Sequence, residues 1–313
     1  MTKTENTRLI KAKAAELGFD RCGIAKAERL EAEAPRFEKW LKAGLNGEMA
    51  YLAASLNKRL DPREVVDGAK SVICLLHNYY TNQEPSDPAA PRIAKYAYGR
   101  DYHLVLKEKL DALLEYLREQ LGAVNGSVFV DSGPILEKAW GARAGLGWIG
   151  KNSVLINHDL GSFCFLSELV VDLELEYDRP VRECCADCRL CLEACPTGAI
   201  VEPRVIDARK CLSYLTIEFK GELSTQLYRR VFGCDICQEV CPWNQTAVHH
   251  TEPLFDPHPA LLTMTAAQWR EMTRKTFDTM FRETAIARTG WERLKRNIAA
   301  VSLGMPPRGS REE

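Results

Sequence analysis

Twelve cysteines in a chain of 313 residues raise the first chemical question, and eight of them lie between Cys185 and Cys241. The run Cys185-Ala-Asp-Cys188-Arg-Leu-Cys191-Leu-Glu-Ala-Cys195-Pro196 has the CxxCxxCxxxCP spacing that delivers thiolates to a 4Fe-4S cubane. A tight CxxCxxC loop brings three ligands from one direction, so the fourth comes from elsewhere. In two-cluster proteins of this spacing the cysteine before proline crosses to the other cluster. Cys241-Pro242 is the matching crossing residue, preceded by Cys234 and Cys237, and Cys211 fills the place that this shorter second motif leaves open. The expected ligand sets are Cys185, Cys188, Cys191 and Cys241 for cluster one, and Cys195, Cys211, Cys234 and Cys237 for cluster two. A zinc module is the alternative chemistry, but three cysteines at two-residue spacing fit its paired CxxC pattern poorly. Cys22, Cys74, Cys164 and Cys184 fall outside both motifs and read as small buried hydrophobes.

Clusters of this kind pass single electrons, and the protein before them is larger than a carrier needs. Residues 1–175 read as a mixed α/β domain, 176–250 as a ferredoxin-like module with two 4Fe-4S clusters, and 251–313 as a basic helical region. Helices are expected at Thr7–Leu17, Leu30–Ala43, Asp101–Leu121 and Ile135–Ala144. The long one carries apolar residues at Leu104, Leu106, Leu110, Leu113, Leu114 and Leu117. Strands are expected at Cys22–Ala25, Ser71–Tyr79, Val124–Val130, Ser153–Asn157 and Ser162–Asp172, forming one sheet with helices packed on it. Lys and Arg total 42 against 43 for Asp and Glu, so any polyanion must meet a local patch. Trp269 to Asn297 offers one, with eight basic residues (Arg270, Arg274, Lys275, Arg282, Arg288, Arg293, Lys295 and Arg296) against four acidic ones. The N-terminus lacks a signal-peptide pattern and no window reaches membrane-spanning length, so a cytoplasmic protein without a membrane partner is expected.

A large α/β domain suits a flavin or a corrinoid. The corrinoid motif DxHxxG begins at Asp101-Tyr102-His103 but has Leu106 where glycine is required. The glycines at 145, 147 and 150 suggest close backbone approach to a large ligand.

Several runs together resemble the epoxyqueuosine reductases: Gly99-Arg100-Asp101-Tyr102-His103; Val130-Asp131-Ser132-Gly133-Pro134-Ile135-Leu136-Glu137-Lys138; Ala142-Arg143-Ala144-Gly145-Leu146-Gly147-Trp148-Ile149-Gly150-Lys151-Asn152; Gly161-Ser162-Phe163; and Cys211-Leu212-Ser213-Tyr214-Leu215-Thr216-Ile217-Glu218. The resemblance implies an α+β fold with a nitroreductase-like domain that binds cobalamin base-off, the two-cluster module, and a short helical C-terminus where many members continue into helical repeats. It implies reduction of the epoxide of epoxyqueuosine at the tRNA wobble position to queuosine. Cob(I)alamin, formed through the clusters from an external low-potential electron donor, would be the nucleophile. Asp131 would be the proton donor, kept protonated by an apolar site, with Tyr102 and His103 supplying protons or orienting substrate. On residue type alone, Asp131 reads as a cap for the helix at Ile135. Arg59, Arg63, Gly147, Lys151 and Ser213 are carried over as cobalamin contacts. Rival readings are a cobalamin-dependent reductive dehalogenase and a non-catalytic B12 or electron-transfer protein.

Overall fold

The computed structural model describes residues 1–302. Its N-terminal part runs α1 (Lys3–Glu16), β1 (Arg21–Lys26), β2 (Ser71–Asn78), α2 (Tyr102–Leu121), β3 (Gly126–Phe129), α3 (Glu137–Arg143) and β4 (Cys164–Val171). The strands form one antiparallel sheet in the order β1-β2-β4-β3. One row crosses it at Gly23, Cys74, Glu168 and Phe129.

Alternation along β4 divides the core. Leu169 and Val171 face one apolar cluster with α1 and α2, while Leu166 and Val170 face another with Ala139 and Trp140 of α3. Helices therefore cover both sheet faces, as the α+β expectation requires.

Local signals account for the shifted boundaries. α1 begins at Lys3 rather than Thr7 because Thr2 and Glu5 make a capping box, with Glu5 N–H donated to Thr2 Oγ1 and Thr2 N–H to Glu5 Oε2. The helix expected from Leu30 runs Ala34–Lys42 and starts beside Pro35, where the missing N–H costs nothing. On α2, Leu104 is 47% exposed and Val105 takes its place in the core, since residue 104 lies about 200° around the helix from Leu106. The strand expected at Ser153–Asn157 shrinks to Leu155–Ile156, paired antiparallel with Trp148–Ile149.

The three sequence regions do not pack as three separate cores. Arg92–Ile93 leaves the N-terminal part and pairs in parallel with Arg230–Phe232. Ile93, Ala97 and Tyr98 share a core with Val231, Phe232 and residues 261–298. α5 (Trp291–Ser302) is tied to α4 (Leu212–Ile217) by fully buried Asn297, whose Nδ2 donates to the carbonyls of Thr216 at 2.9 Å and Val231 at 2.8 Å. Residues 303–313 of the expected C-terminal region lie outside the described residues. Among the described residues, no helix is long and apolar enough to cross a membrane.

Candidate active site

Cys185, Cys188 and Cys191 meet Cys241 around one cavity of about 230 Å³, which Trp243, Leu190 and Ile156 also line. Four thiolates on a single zinc ion at about 2.3 Å would stand roughly 3.8 Å apart. Among the described residues, the only three or more His, Cys, Asp or Glu donors within 4.8 Å of one another are His249, His250 and Asp256. No three of these thiols come that close, so the ring is wider than a lone zinc would set it. The second set is also brought together: Cys237 feels Cys234 and Cys211, and Cys211 feels Cys195. Cys237 also feels Cys191 of the first set, so the two sites are neighbours. Of the four remaining cysteines, Cys74 is buried and Cys22 and Cys164 are half-buried, but Cys184 is exposed and lines the first cavity, against the expectation of a buried hydrophobe.

Asp131 lies beyond the end of β3, in left-handed backbone with φ 54°. It does not cap α3, whose N-cap is Leu136 without a side-chain bond. Instead its N–H is donated to Glu137 Oε1, and its Oδ2 accepts Tyr102 Oη–H at 2.9 Å and meets His103 Nε2 at 3.2 Å. His103 Nδ1 lies 2.6 Å from Asp101 Oδ1, so the imidazole bridges two carboxylates. Burial alone would push His103 down; its bonds to Asp101 and Asp131 outweigh that and raise it above its ordinary value. Burial pushes Asp131 up, but the His103 bond and charge, with the Tyr102 hydroxyl, hold it below the usual carboxylate range. The shift runs opposite to the one expected of Asp131: its neighbours lower it, and the raised carboxyls lie behind it. Burial and the Asp131 charge push Glu137 up to about 8, and burial followed by the Glu137 charge pushes Glu168 well above the ordinary range.

The side chain of Asp131 is 61% exposed, and Lys138 is exposed too. Desolvation by surrounding protein nevertheless dominates at both, which describes the walls of a cleft. Lys138 feels the charges of Glu137 and Asp131 and those of the Cys211 and Cys237 thiols. Arg59 belongs to this cleft. It is 7% exposed, its Nη1 donates to Gly133 O at 3.3 Å, its guanidinium lies over the Tyr51 ring, and its buried Nε has no acceptor.

The other carried-over residues do different work. Arg63 is taken up by Asp61 at 2.8 and 2.7 Å on the surface. Lys151 Nζ donates to the carbonyls of Ala186 and Cys188 at 2.5 and 2.9 Å, clamping the first cysteine loop. A Cβ on Gly147 would stand 2.1 Å from Ile156 O, and one on Gly145 2.6 Å from Arg179 O. Protein backbone, not a ligand, therefore requires these two glycines. Ser213 is half-buried beside Cys211, whose sulfur accepts from the backbone N–H groups of Ser213 and Tyr214. Sequence reasoning missed Glu137, Glu168, Lys138 and Trp148, whose Nε1 points to Cys185 Sγ at 3.5 Å. One available signal was a lone Glu168 in the otherwise apolar half of CFLSELVV.

Fold and site define a two-cluster iron–sulfur oxidoreductase with an acidic cleft beside its second cysteine set. Residues 59–132 match the family described as Epoxyqueuosine reductase QueG, DUF1730, and residues 184–244 match the 4Fe-4S double cluster binding domain. An epoxyqueuosine reductase of Cellulophaga algicola is 52% identical, covering 95% of this chain and 98% of its own. That of Escherichia coli is 40% identical, covering 95% of this chain and 80% of its own. A crystal structure of epoxyqueuosine reductase with an epoxyqueuosine-modified tRNA-Tyr stem loop superposes with TM-score 0.86 at 28% identity, over 95% of this chain and 80% of that one. The Bacillus subtilis enzyme, with its catalytic aspartate loop swung out of the active site, gives 0.86 at 27% identity, over 95% and 81%. The chain belongs to the epoxyqueuosine reductase family.

Proposed function

We propose that the chain reduces the epoxide of epoxyqueuosine in tRNA to the alkene of queuosine, drawing electrons through two 4Fe-4S clusters and protons through Asp131. The observation that carries the reading is the convergence of Tyr102 and His103 on one oxygen of Asp131, in a cleft that reaches the second cysteine set through Lys138. The swung-out aspartate loop of the Bacillus subtilis enzyme supports placing the acid on residues 130–136. Cluster one is assigned to Cys185, Cys188, Cys191 and Cys241, and cluster two to Cys195, Cys211, Cys234 and Cys237.

Conversion of an epoxide to an alkene and water takes two electrons and two protons. Arg59 Nε, a buried donor without an acceptor, and the exposed Lys138 would hold the amide-bearing rim of a cobalamin, which would supply a two-electron nucleophile toward the epoxide carbon. The chain's own residues manage the protons. Both protons must reach the leaving oxygen: one passes from His103 Nε2 through the Asp131 carboxyl as negative charge develops on the epoxide oxygen, and the second follows by the same path once His103 has regained a proton from solvent. Asp101 holds the imidazole ring in place, and the Tyr102 hydroxyl keeps Asp131 aimed.

The test is anaerobic turnover of an epoxyqueuosine-bearing tRNA stem loop by the protein reconstituted with iron, sulfide and cobalamin. D131N is expected to lower the rate by at least about 10²-fold while keeping clusters and cobalamin. Undiminished turnover by D131N would remove Asp131 from the mechanism.

A further inference from the structure

Asp131 sits at φ 54°, a left-handed conformation that aspartate adopts more readily than most residues and that a bond to its backbone holds further. The restraint on its backbone is the bond from its N–H to Glu137 Oε1, on the first residue of α3. Behind Glu137 stands Glu168. It shares its strand face with Leu166 and Val170, which pack against α3, and so it points at the same helix. Its side chain is 0% exposed, and neither carboxyl oxygen meets an N–H or hydroxyl donor. The carboxyl that bears on it is that of Glu137, which raises it by charge and by contact. Two bare carboxylates cannot stay together in such a place, because their like charges repel in a low dielectric and their oxygens lack donors. A proton held between them turns the contact into a strong O–H···O bond and leaves Glu137 an oxygen for Asp131.

We propose that Glu168 and Glu137 form a proton-sharing carboxyl pair that positions Asp131, with Glu168 holding Glu137 and Glu137 holding the Asp131 N–H. The proposal rests on the reading of Asp131 as the acid. Glu168 is a positioning residue, since it acts through Glu137 from inside the sheet. Glu137 is half-buried and can turn toward solvent, so replacing Glu168 by an apolar side chain of similar size removes a fully buried acid at little cost to the fold. Activity, by contrast, should fall.

The experiment compares wild type, E168M, E168Q and D131N as holoenzymes, measuring kcat and KM on the epoxyqueuosine stem loop together with thermal unfolding. E168M is expected to melt close to wild type, yet to lose between about ten- and a hundredfold in kcat at unchanged KM, the usual consequence of a misplaced catalytic group. E168Q, which keeps an N–H donor toward Glu137, should restore most of that loss. Equal losses in E168M and E168Q with lowered melting would make Glu168 a structural residue and overturn the proposal. Wild-type kcat in E168M beside an inactive D131N would overturn the pair alone, whereas an active D131N would overturn the reading of Asp131 itself. If E168M does not fold, E137L removes the acceptor for the Asp131 N–H. A slowed E137L supports the proposal and an unchanged one overturns it.

Discussion

The neighbours of Asp131 lower it and those of His103 raise it, the reverse of the shift the sequence expected at Asp131. The sequence argument used a single effect, an apolar wall that raises a carboxyl, whereas the folded site adds an imidazole close enough to reverse it. Besides each other's charge, three groups act on His103 or Asp131: Asp101, Tyr102 and Arg288. The sign of the pH dependence follows. His103 is raised, so its proton is present at low pH and lost as pH climbs through a value above the ordinary imidazole range. Asp131 is depressed, so it stays anionic until pH falls through a value below the ordinary carboxylate range. The pair titrates as a unit, and kcat should hold a plateau between these limits and fall on the alkaline side. H103Q keeps a donor toward Asp131 but cannot release a proton. Its kcat should fall by about 10²-fold and its profile should lose the alkaline limb. Measuring kcat of the holoenzyme from about pH 6 to 9 checks this; an unmoved limb in H103Q would assign it to another group.

Among elements, those whose determinants are local were legible in the sequence. The first cysteine motif writes three cluster thiols into one loop, β2 is buried at every position, and α2 carries its apolar stripe in register. Of the hairpin of Trp148–Ile149 with Leu155–Ile156, only the second strand was legible, inside the expected Ser153–Asn157; the first depends on a close approach between Gly147 and Ile156 O that local periodicity does not record. That same contact turned a glycine expected at a ligand into a packing residue. Glu168 stayed hidden for a related reason: its meaning depends on α3 crossing the sheet above it, a tertiary fact. The hairpin also matters to the clusters, since Trp148 leans on Cys185 and Ile156 lines the first cavity. A methyl group on Gly147 meets a backbone carbonyl that no side-chain rotation can move. G147A should therefore cost ~3 kcal/mol and open the first cluster site. Thermal unfolding and iron per chain measure both effects; wild-type melting with full iron content would mean that the hairpin tolerates the methyl.

Across the whole molecule, the basic C-terminal region divides into cations that hold the fold and cations that face solvent. Arg296 donates to the carbonyls of Leu215 at 2.9 Å, Phe219 at 2.9 Å and Gly221 at 2.7 Å, closing the end of α4, and Arg293 donates to Ile217 O. Arg270, Lys275, Arg282, Arg288 and Lys295 are exposed, while Arg274 lies 3.7 Å from Asp278. Residues 282–288 reach the catalytic end of α2, where Asp101 N–H is donated to Glu283 O at 2.6 Å and the Arg288 charge bears on Asp131. A chain of net charge −1 exerts little overall pull on RNA, so this rim should do the holding. Each phosphate contact removed should reduce the slope of log K against log salt by about 0.7 to 1. R282A/R288A should thus weaken stem-loop binding and flatten its salt dependence by about 1.5 to 2. R296A should leave that slope unchanged and lower the melting temperature, because its cation is spent on protein carbonyls. Binding titrations of the holoenzyme across a salt series, with melting curves alongside, separate the two kinds of arginine. A flattened slope in R296A, or an unchanged one in the double variant, would move the tRNA track away from this rim.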